Sequence, residues 1–170
     1  IRVNNRKILN GFYAMLGLTQ QSGEIMRTVD KLDKIGASKV KELLVEGGVS
    51  EDNAQEILRF IGISGGNQAV LAALETYRGR NEVFDAGRDE LTTVVKYLAA
   101  FGVPETHFAV DLTIARGLDY YTGTVYETTM LDHPEIGSIC SGGRYDNLAE
   151  YYTDKQLPGV GISIGLTRLF

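Results

Sequence analysis

The sequence of 170 residues is poor in several residue types, and each scarcity excludes a class of protein. Its single cysteine, Cys140, excludes an internal disulfide and a zinc site built from several cysteines, and it suits a reducing compartment. The two histidines, His107 and His133, are not spaced as metal ligands, so a histidine zinc site or a Ser-His-Asp triad has no support. No apolar run approaches the ~18 residues of a membrane span. We therefore expect a cytoplasmic chain without a protein-bound metal.

Two common nucleotide-binding signatures are also missing. The glycines at positions 159, 161 and 165 match neither the dinucleotide fingerprint nor the phosphate loop, because no Gly-Lys-Ser/Thr follows them. A nucleotide, if bound, is bound in another way. The chain opens at Ile1 without a signal-peptide pattern and closes on the apolar run "GLTRLF". We expect it to be an internal piece of a larger protein.

The hydrophobic period changes once along the chain. From Asn4 to Phe101 the apolar residues recur mostly at helical spacing, with Ser38 and Ser50 as candidate N-caps and Gly17, Gly36 and Gly102 as candidate helix ends. After Pro104, "HFAVDLTIARG" alternates apolar and other residues, and "TGTVYETTML" is rich in β-branched and aromatic residues, which indicates strands. This order predicts an α+β domain in which a helical first part is followed by a predominantly antiparallel sheet.

Charge separates the same two parts. Residues 1–102 hold 13 Lys+Arg and 13 Asp+Glu, whereas residues 103–170 hold 4 and 9, so the net charge of −5 lies entirely in the second part. Three of the four cations there are arginines beside glycines: Arg116, Arg144 and Arg168. Glycine lets a backbone approach a ligand, and a guanidinium fork matches phosphate or carboxylate oxygens, so this pattern favours an anionic ligand. The alternative is local ion pairing, of Arg116 with Asp119 or of Arg144 with Asp146.

Three motifs carry a resemblance to a known family. "RGLDYYTGTVYE" resembles the signature arginine motif of histidyl-tRNA synthetases, and "SGGRYDNL" resembles their second histidine-specific motif. "GVGISIGLTRLF" is similar to the third general motif of class II aminoacyl-tRNA synthetases. The opening "IRVNNRKILNGFYAMLG" and "VDKLDKIG" are also similar to the histidyl family, particularly its eukaryote-like branch. The resemblance implies a class II catalytic fold, an antiparallel sheet with flanking helices.

The resemblance also implies a reaction in two steps. Histidine and ATP, with Mg²⁺ on its phosphates, give histidyl-adenylate, and the histidyl group then passes to the 3′ end of tRNA(His). Arg116 matches the catalytic family arginine that contacts the α-phosphate and the histidine carboxylate. Tyr120, Tyr121 and Tyr145 match residues that line the histidine pocket. Because adjacent residues of a strand point to opposite faces, one of the tandem tyrosines could instead be an ordinary core residue, and Tyr121 is the preferred ligand contact.

The remaining matches concern ATP. Arg168 matches the arginine that clamps the ATP tail, and Gly161 and Gly165 would permit close packing against adenine. Arg144, with Gly142 and Gly143, is a further candidate contact, although Arg144 could instead hold its own turn through Asp146. We expect Arg116, Arg144 and Arg168 to surround one cavity.

The family resemblance divides the chain into three segments. Residues 1–17 would open the catalytic domain, residues 18–84 would form an inserted helical module near the tRNA acceptor stem, and residues 85–170 would complete the catalytic domain. The balanced charge of the helical segment gives no independent support for nucleic-acid contact. The dimer-forming motif and an anticodon-binding domain would lie outside this chain, so we expect a homodimer of the full-length protein and an inactive isolated fragment.

A catalytically inactive relative is the rival interpretation. Such a chain would be a regulatory subunit of histidine biosynthesis or a synthetase-like domain of a stress kinase, and it would sense histidine or uncharged tRNA by binding alone. A pure sensor has no need of both Arg116 and Arg168, so their presence favours the enzyme.

Overall fold

The computed structural model describes residues 1–115 and 120–170, with the side chain of Tyr151 excepted, and the described part is an α+β fold. In chain order its strands and longer helices are β1 (Arg2–Asn5), α1 (Arg6–Met15), α2 (Ser22–Val29), α3 (Leu32–Glu46), α4 (Glu51–Ile61), α5 (Asn67–Glu75), α6 (Glu82–Ala100), β2 (Ala109–Val110), β3 (Thr124–Thr129), β4 (Ser138–Tyr145), β5 (Gly159–Ile164) and α7 (Leu166–Leu169).

The five strands form one mixed sheet in the order β2-β1-β3-β4-β5. The β1–β3, β3–β4 and β4–β5 pairings are antiparallel, and β1 pairs with β2 in parallel. The expected predominantly antiparallel sheet is therefore confirmed. Strand β1 lies near its centre although it comes first in the chain, so the sheet depends on contacts between distant segments.

Several helix ends lie where the sequence predicts them. The Ser50 hydroxyl accepts a hydrogen bond from the backbone amide of Asn53 at 3.2 Å and so caps α4. Gly17 and Gly102 follow α1 and α6 with positive φ, the conformation that closes a helix and favours glycine. Gly36 also has positive φ, but it interrupts α3 instead of ending a helix, so the boundary expected there is a kink.

The helices share one hydrophobic core with β1. Phe12 of α1 stacks on Phe60 of α4 with ring centroids 3.8 Å apart, and both side chains are almost fully buried. Phe84 of α6 packs beside Phe60, with the two ring centroids 6.2 Å apart. The helical segment is thereby joined to α1 and α6. The expected boundary after residue 84 falls within the first turn of α6, which begins at Glu82.

Two details of the strands differ from the expectation. Asn4 and Asn5 belong to a strand and not to the first helix, because their backbones pair with Val125 and Thr124 of β3. The alternating segment 108–114 contains only the two-residue strand β2, although Phe108, Leu112 and the other apolar positions are buried as the alternation predicts. Within the described residues, no helix is both long and apolar enough to cross a membrane.

Candidate functional site

A cavity of about 250 Å³ lies against strands β3, β4 and β5. Tyr121 and Arg168, both expected to contact ligands, line this cavity together with Gly142 and Gly165. Tyr121 and Arg168 lie 47 positions apart in sequence, and the sheet brings them together because β4 pairs with both β3 and β5. The cavity is therefore the candidate site.

The strand register adds three polar residues that motif reasoning missed. Glu127 pairs with Ser141, and Ser141 pairs with Ser163, so their side chains stand in a row on one face of the sheet and line the cavity. Glu127 is only 8% exposed. Glu127 is the last residue of the first motif, and this was the one feature of the sequence that could have indicated its place in the site. A buried acidic side chain therefore lines the same cavity as Arg168.

The three predicted tyrosines form one cluster. The Tyr120 and Tyr121 rings have centroids 4.7 Å apart, and the Tyr145 ring meets Tyr120 edge-on at 5.9 Å. The expectation that the tandem tyrosines point to opposite faces is wrong, because they lie in the turn before β3 and not in a strand. Of the three, Tyr121 lines the cavity.

The phenol of Tyr121 resists ionisation. Burial is the largest cause, and a hydrogen bond with Tyr120 adds to it, so that the pKa of Tyr121 is raised to about 12. The phenol consequently stays protonated at neutral pH and can both donate and accept a hydrogen bond. Such a group suits an imidazole nitrogen in either protonation state.

Arg168 is held at the mouth of the cavity by the backbone. Its Nη1 donates to the carbonyl oxygen of Ser138, at the start of β4. The amide of Gly165 donates to the carbonyl of Ile139 at 2.9 Å and ties the start of α7 to the same strand. The guanidinium is exposed, so its other donors remain able to meet an anion.

Arg144 does not share this cavity. It lines a separate depression with Thr122, and its Nε donates to Asp146 at 2.9 Å, as in the local ion pair left open by the sequence. The Thr122 hydroxyl also donates to Asp146 at 2.6 Å, and the Thr122 amide donates to the Arg144 carbonyl at 2.9 Å. Because Thr122 follows Tyr121, this network holds the end of the tyrosine turn. The hydrogen bond from Thr122 is the largest cause that lowers the pKa of Asp146, and the pairing with Arg144 lowers this pKa further.

Glycines keep the strands close beneath the tyrosines. A Cβ at Gly142 would lie 2.1 Å from the Gly161 carbonyl oxygen, and one at Gly143 would lie 2.9 Å from the Tyr121 ring. A Cβ at Gly161 would meet the Tyr145 ring at 3.2 Å. Side chains at Gly142 and Gly143 would therefore displace the backbone or the aromatic cluster.

The expected catalytic residue, Arg116, lies outside the described residues. The described chain stops at Ala115 and resumes at Tyr120. Ile114, two residues before Arg116, lines the cavity. In the described part of the chain, no group of three or more His, Cys, Asp or Glu side chains is placed to hold a metal ion.

Comparison with known proteins gives consistent results at the level of sequence. The model of the family "Histidyl-tRNA synthetase" matches residues 1–169. The "Histidine--tRNA ligase" of Clostridium tetani is 52% identical over 170 residues, which is all of this chain and 38% of that protein. The protein of the same name from Stenotrophomonas maltophilia is 49% identical over 178 residues, again with all of this chain and 38% of that protein. The chain thus spans well under half the length of these relatives.

Solved structures give the same result at the level of fold. Histidyl-tRNA synthetase from Nostoc sp. PCC 7120 superposes with a TM-score of 0.93 and 46% identity, over 99% of this chain and 40% of that one. A Bacillus halodurans protein described as "ATP phosphoribosyltransferase regulatory subunit/histidyl-tRNA synthetase" superposes with a TM-score of 0.73 at 22% identity, over 96% of this chain and 41% of that one. The second likeness concerns the fold alone.

Proposed function

Because the chain belongs to the histidyl-tRNA synthetase family, we propose that it is part of a ligase that activates histidine with ATP and transfers it to tRNA(His). The family model covers nearly the whole chain, and relatives at about half identity carry that name. The observation that carries the proposal is the shared cavity: Tyr121 from the first motif and Arg168 from the third line one space against the sheet.

In the first step, the histidine carboxylate attacks the α-phosphorus of ATP and pyrophosphate leaves. Negative charge spreads over the phosphate oxygens in this transition state, so alignment and preorganised positive charge are the main sources of catalysis. Arg116 would hold the carboxylate and the α-phosphate together, and Arg168 would bind the ATP tail. Mg²⁺ would enter with ATP as part of the substrate.

Selection of the amino acid would rest on the tyrosine cluster. Tyr121 offers a protonated phenol at the cavity wall, and Tyr120 and Tyr145 pack behind it as an aromatic support. A buried phenol that pairs with an imidazole nitrogen discriminates against side chains without such a nitrogen, because its own hydrogen bond is then lost. Glu127 gives the same wall a carboxylate, which suits a cationic group of the substrate.

The remaining assignments belong to the full-length protein. The helical segment 18–84 would approach the tRNA acceptor stem, and the enzyme would act as a cytoplasmic homodimer. Gly161 and Gly165 would lie against adenine. Arg144 would act indirectly: its pairing with Asp146 and the link to Thr122 support a role in holding the tyrosine turn, with Gly142 and Gly143 allowing close packing there.

A catalytically inactive sensor is the second candidate. The likeness to the Bacillus halodurans protein is compatible with this candidate only at the level of fold. The retained Arg116 and Arg168 and the much higher identity to proteins named as ligases favour the enzyme.

The deciding experiment is pyrophosphate exchange into ATP by the full-length gene product, assayed with each of the twenty amino acids. We expect exchange with histidine alone. Binding of histidine without exchange would support the sensor, and exchange with a different amino acid would overturn the assignment of specificity to the tyrosine cluster.

A further inference from the structure

The segment 111–115, here called the loop base, leads directly into Arg116 and leaves the sheet before it does so. The Asp111 amide donates to the Val3 carbonyl at 3.0 Å. Among the described residues, this is the last backbone hydrogen bond that joins the segment after β2 to β1. The chain then turns on itself, since Ile114 donates to the Asp111 carbonyl at 3.2 Å and Ala115 donates to the Thr113 carbonyl at 2.8 Å. Backbone pairing with β1 therefore does not fix the last residues before Arg116.

A side chain of β1 takes over where the ladder stops. The Asn4 Nδ2 donates to the carbonyl oxygens of Leu112 at 3.3 Å and Ile114 at 3.0 Å. The Asn4 Oδ1 accepts from the Asn5 amide at 2.8 Å. Asn4 is fully buried, and both of its donors and its acceptor are used. A buried carboxamide is costly unless it is satisfied in this way, so the loop base and Asn4 fix each other.

The loop base is tied at two further points. The Thr113 amide and hydroxyl both donate to Asp111 Oδ1, at 2.9 and 2.6 Å, which closes the turn. Arg2, on the same face of β1 as Asn4, reaches Asp111 with its Nη1 at 3.5 Å. This ion pair is partly exposed and weaker than the buried amide contacts. Ile114 carries the loop base to the cavity that Tyr121 also lines.

We propose that Asn4 is a positioning residue for Arg116: by clamping the carbonyls of Leu112 and Ile114, it fixes the backbone immediately before the arginine in the chain. The inference rests on the proposed function, in which Arg116 stabilises the adenylate transition state. A distant substitution that misplaces a catalytic group by about 1 Å can lower the reaction rate about 100-fold.

A double-mutant cycle on the full-length protein tests this role. We expect Asn4→Ala to lower kcat/KM for histidine-dependent exchange by about 10- to 100-fold when Arg116 is present. In the Arg116→Ala background, the same change should cost about twofold or less, because the residue through which Asn4 acts is gone. Equal losses in the two backgrounds would show a merely structural role and overturn the proposal, as would full activity of a folded Asn4→Ala variant.

The neighbouring asparagine supplies a matched control. Asn5 is equally buried, but its side chain points to the other side of β1, where it donates to Glu90 at 2.8 Å and caps α1 through Lys7. Asn5→Ser keeps an N-cap oxygen, so we expect similar small factors in both backgrounds. If Asn4→Ala fails to fold, Asn4→Ser replaces it in the same cycle.

A second readout does not depend on activity. Amide hydrogen exchange at residues 112–115 should speed up in the Asn4 variant and stay unchanged in Asn5→Ser, since only the former frees the loop base. Unchanged protection in both variants would overturn the clamp. Absence of histidine-dependent exchange in the wild-type protein would instead defeat the proposed function, while the amide measurement would still decide whether Asn4 holds the loop base.

Discussion

The helical region and the β4–β5 end of the sheet differ in how far their apolar side chains are buried. In the helical region, Phe12, Phe60 and Phe84 are almost completely buried in one core. In β5, the apolar side chains of Val160, Ile162 and Ile164 are more than half exposed. Yet β4 and β5 carry the glycines and serines of the candidate site. Buried apolar packing is thus concentrated in one region, and the candidate site lies in the other.

This difference suggests that substitutions should separate cleanly into two classes. Changes in the helical core should lower the free energy of unfolding, whereas changes around the cavity should alter exchange or binding in a protein that remains folded. Four substitutions of decreasing expected effect on free energy test that separation.

Truncation of the central aromatic stack should have the largest effect. Phe60 is fully buried and stacked on Phe12, so Phe60→Ala should lower the free energy of unfolding by about 3–5 kcal/mol through lost burial and an unfilled cavity. Urea denaturation followed by circular dichroism measures this change. Phe101→Ala is the control, because Phe101 is exposed at the end of α6 and should change stability by about 0.5 kcal/mol or less. A loss below about 1 kcal/mol for Phe60→Ala would contradict the assignment of the core.

Loss of the expected catalytic arginine should act on the rate and not on the fold. Arg116→Ala should lower histidine-dependent exchange by about 100-fold or more, the scale for one preorganised charge-stabilising donor, with little change in unfolding. Arg144→Ala is the matched control, since Arg144 pairs with Asp146 outside the cavity and should lower exchange far less. Equal losses for the two arginines would mean that the cavity does not separate their roles.

Removal of one hydroxyl should separate the two small substrates. Tyr121→Phe should weaken histidine binding by about 1–3 kcal/mol, because a buried partner loses its hydrogen bond, and should affect ATP less. Isothermal titration with each ligand measures the difference. The exposed Tyr97 on α6 provides a control, and Tyr97→Phe should change neither affinity. Equal weakening of histidine and ATP by Tyr121→Phe would indicate a folding defect.

The smallest effect concerns pH. The pKa of Asp146 is lowered in the folded protein, first by the Thr122 hydrogen bond and then by Arg144. Its stabilising contribution is therefore full above the ordinary carboxyl pKa and is lost as pH falls through the lower folded value. Asp146→Asn should lower the free energy of unfolding at neutral pH by about 1 kcal/mol or less, with the difference shrinking in acid. A difference that grows in acid would contradict this sign.

Local signals predicted much of the helical region. The cap at Ser50 and the ends at Gly17 and Gly102 follow from residues adjacent in sequence, and the structure confirms them. Strand β1 was missed because two of its four residues are asparagines and it runs straight into α1, so it shows no useful alternation. Its partners, β2 and β3, lie more than 100 residues away in the chain.

The site was predicted only where a motif marked it. Tyr121 and Arg168 share the cavity as expected, whereas Glu127, Ser141 and Ser163 were not foreseen, because their alignment depends on the register of three strands. Arg144 could not be assigned from sequence, since an arginine two residues before an aspartate fits a ligand contact and an ion pair equally well. The structure shows the ion pair.

If the cavity selects an amino acid as proposed, the glycines beneath the tyrosines limit how that selection can be changed. Any side chain at Gly142 or Gly143 would collide with backbone or with an aromatic ring, so substitutions at these positions would shift the strands or the tyrosine cluster. Ser141 and Ser163 line the same cavity and already carry side chains, and Ser141 pairs with Glu127 across the strands. Substitutions intended to change specificity are therefore better placed at Ser141 and Ser163 than at Gly142 and Gly143.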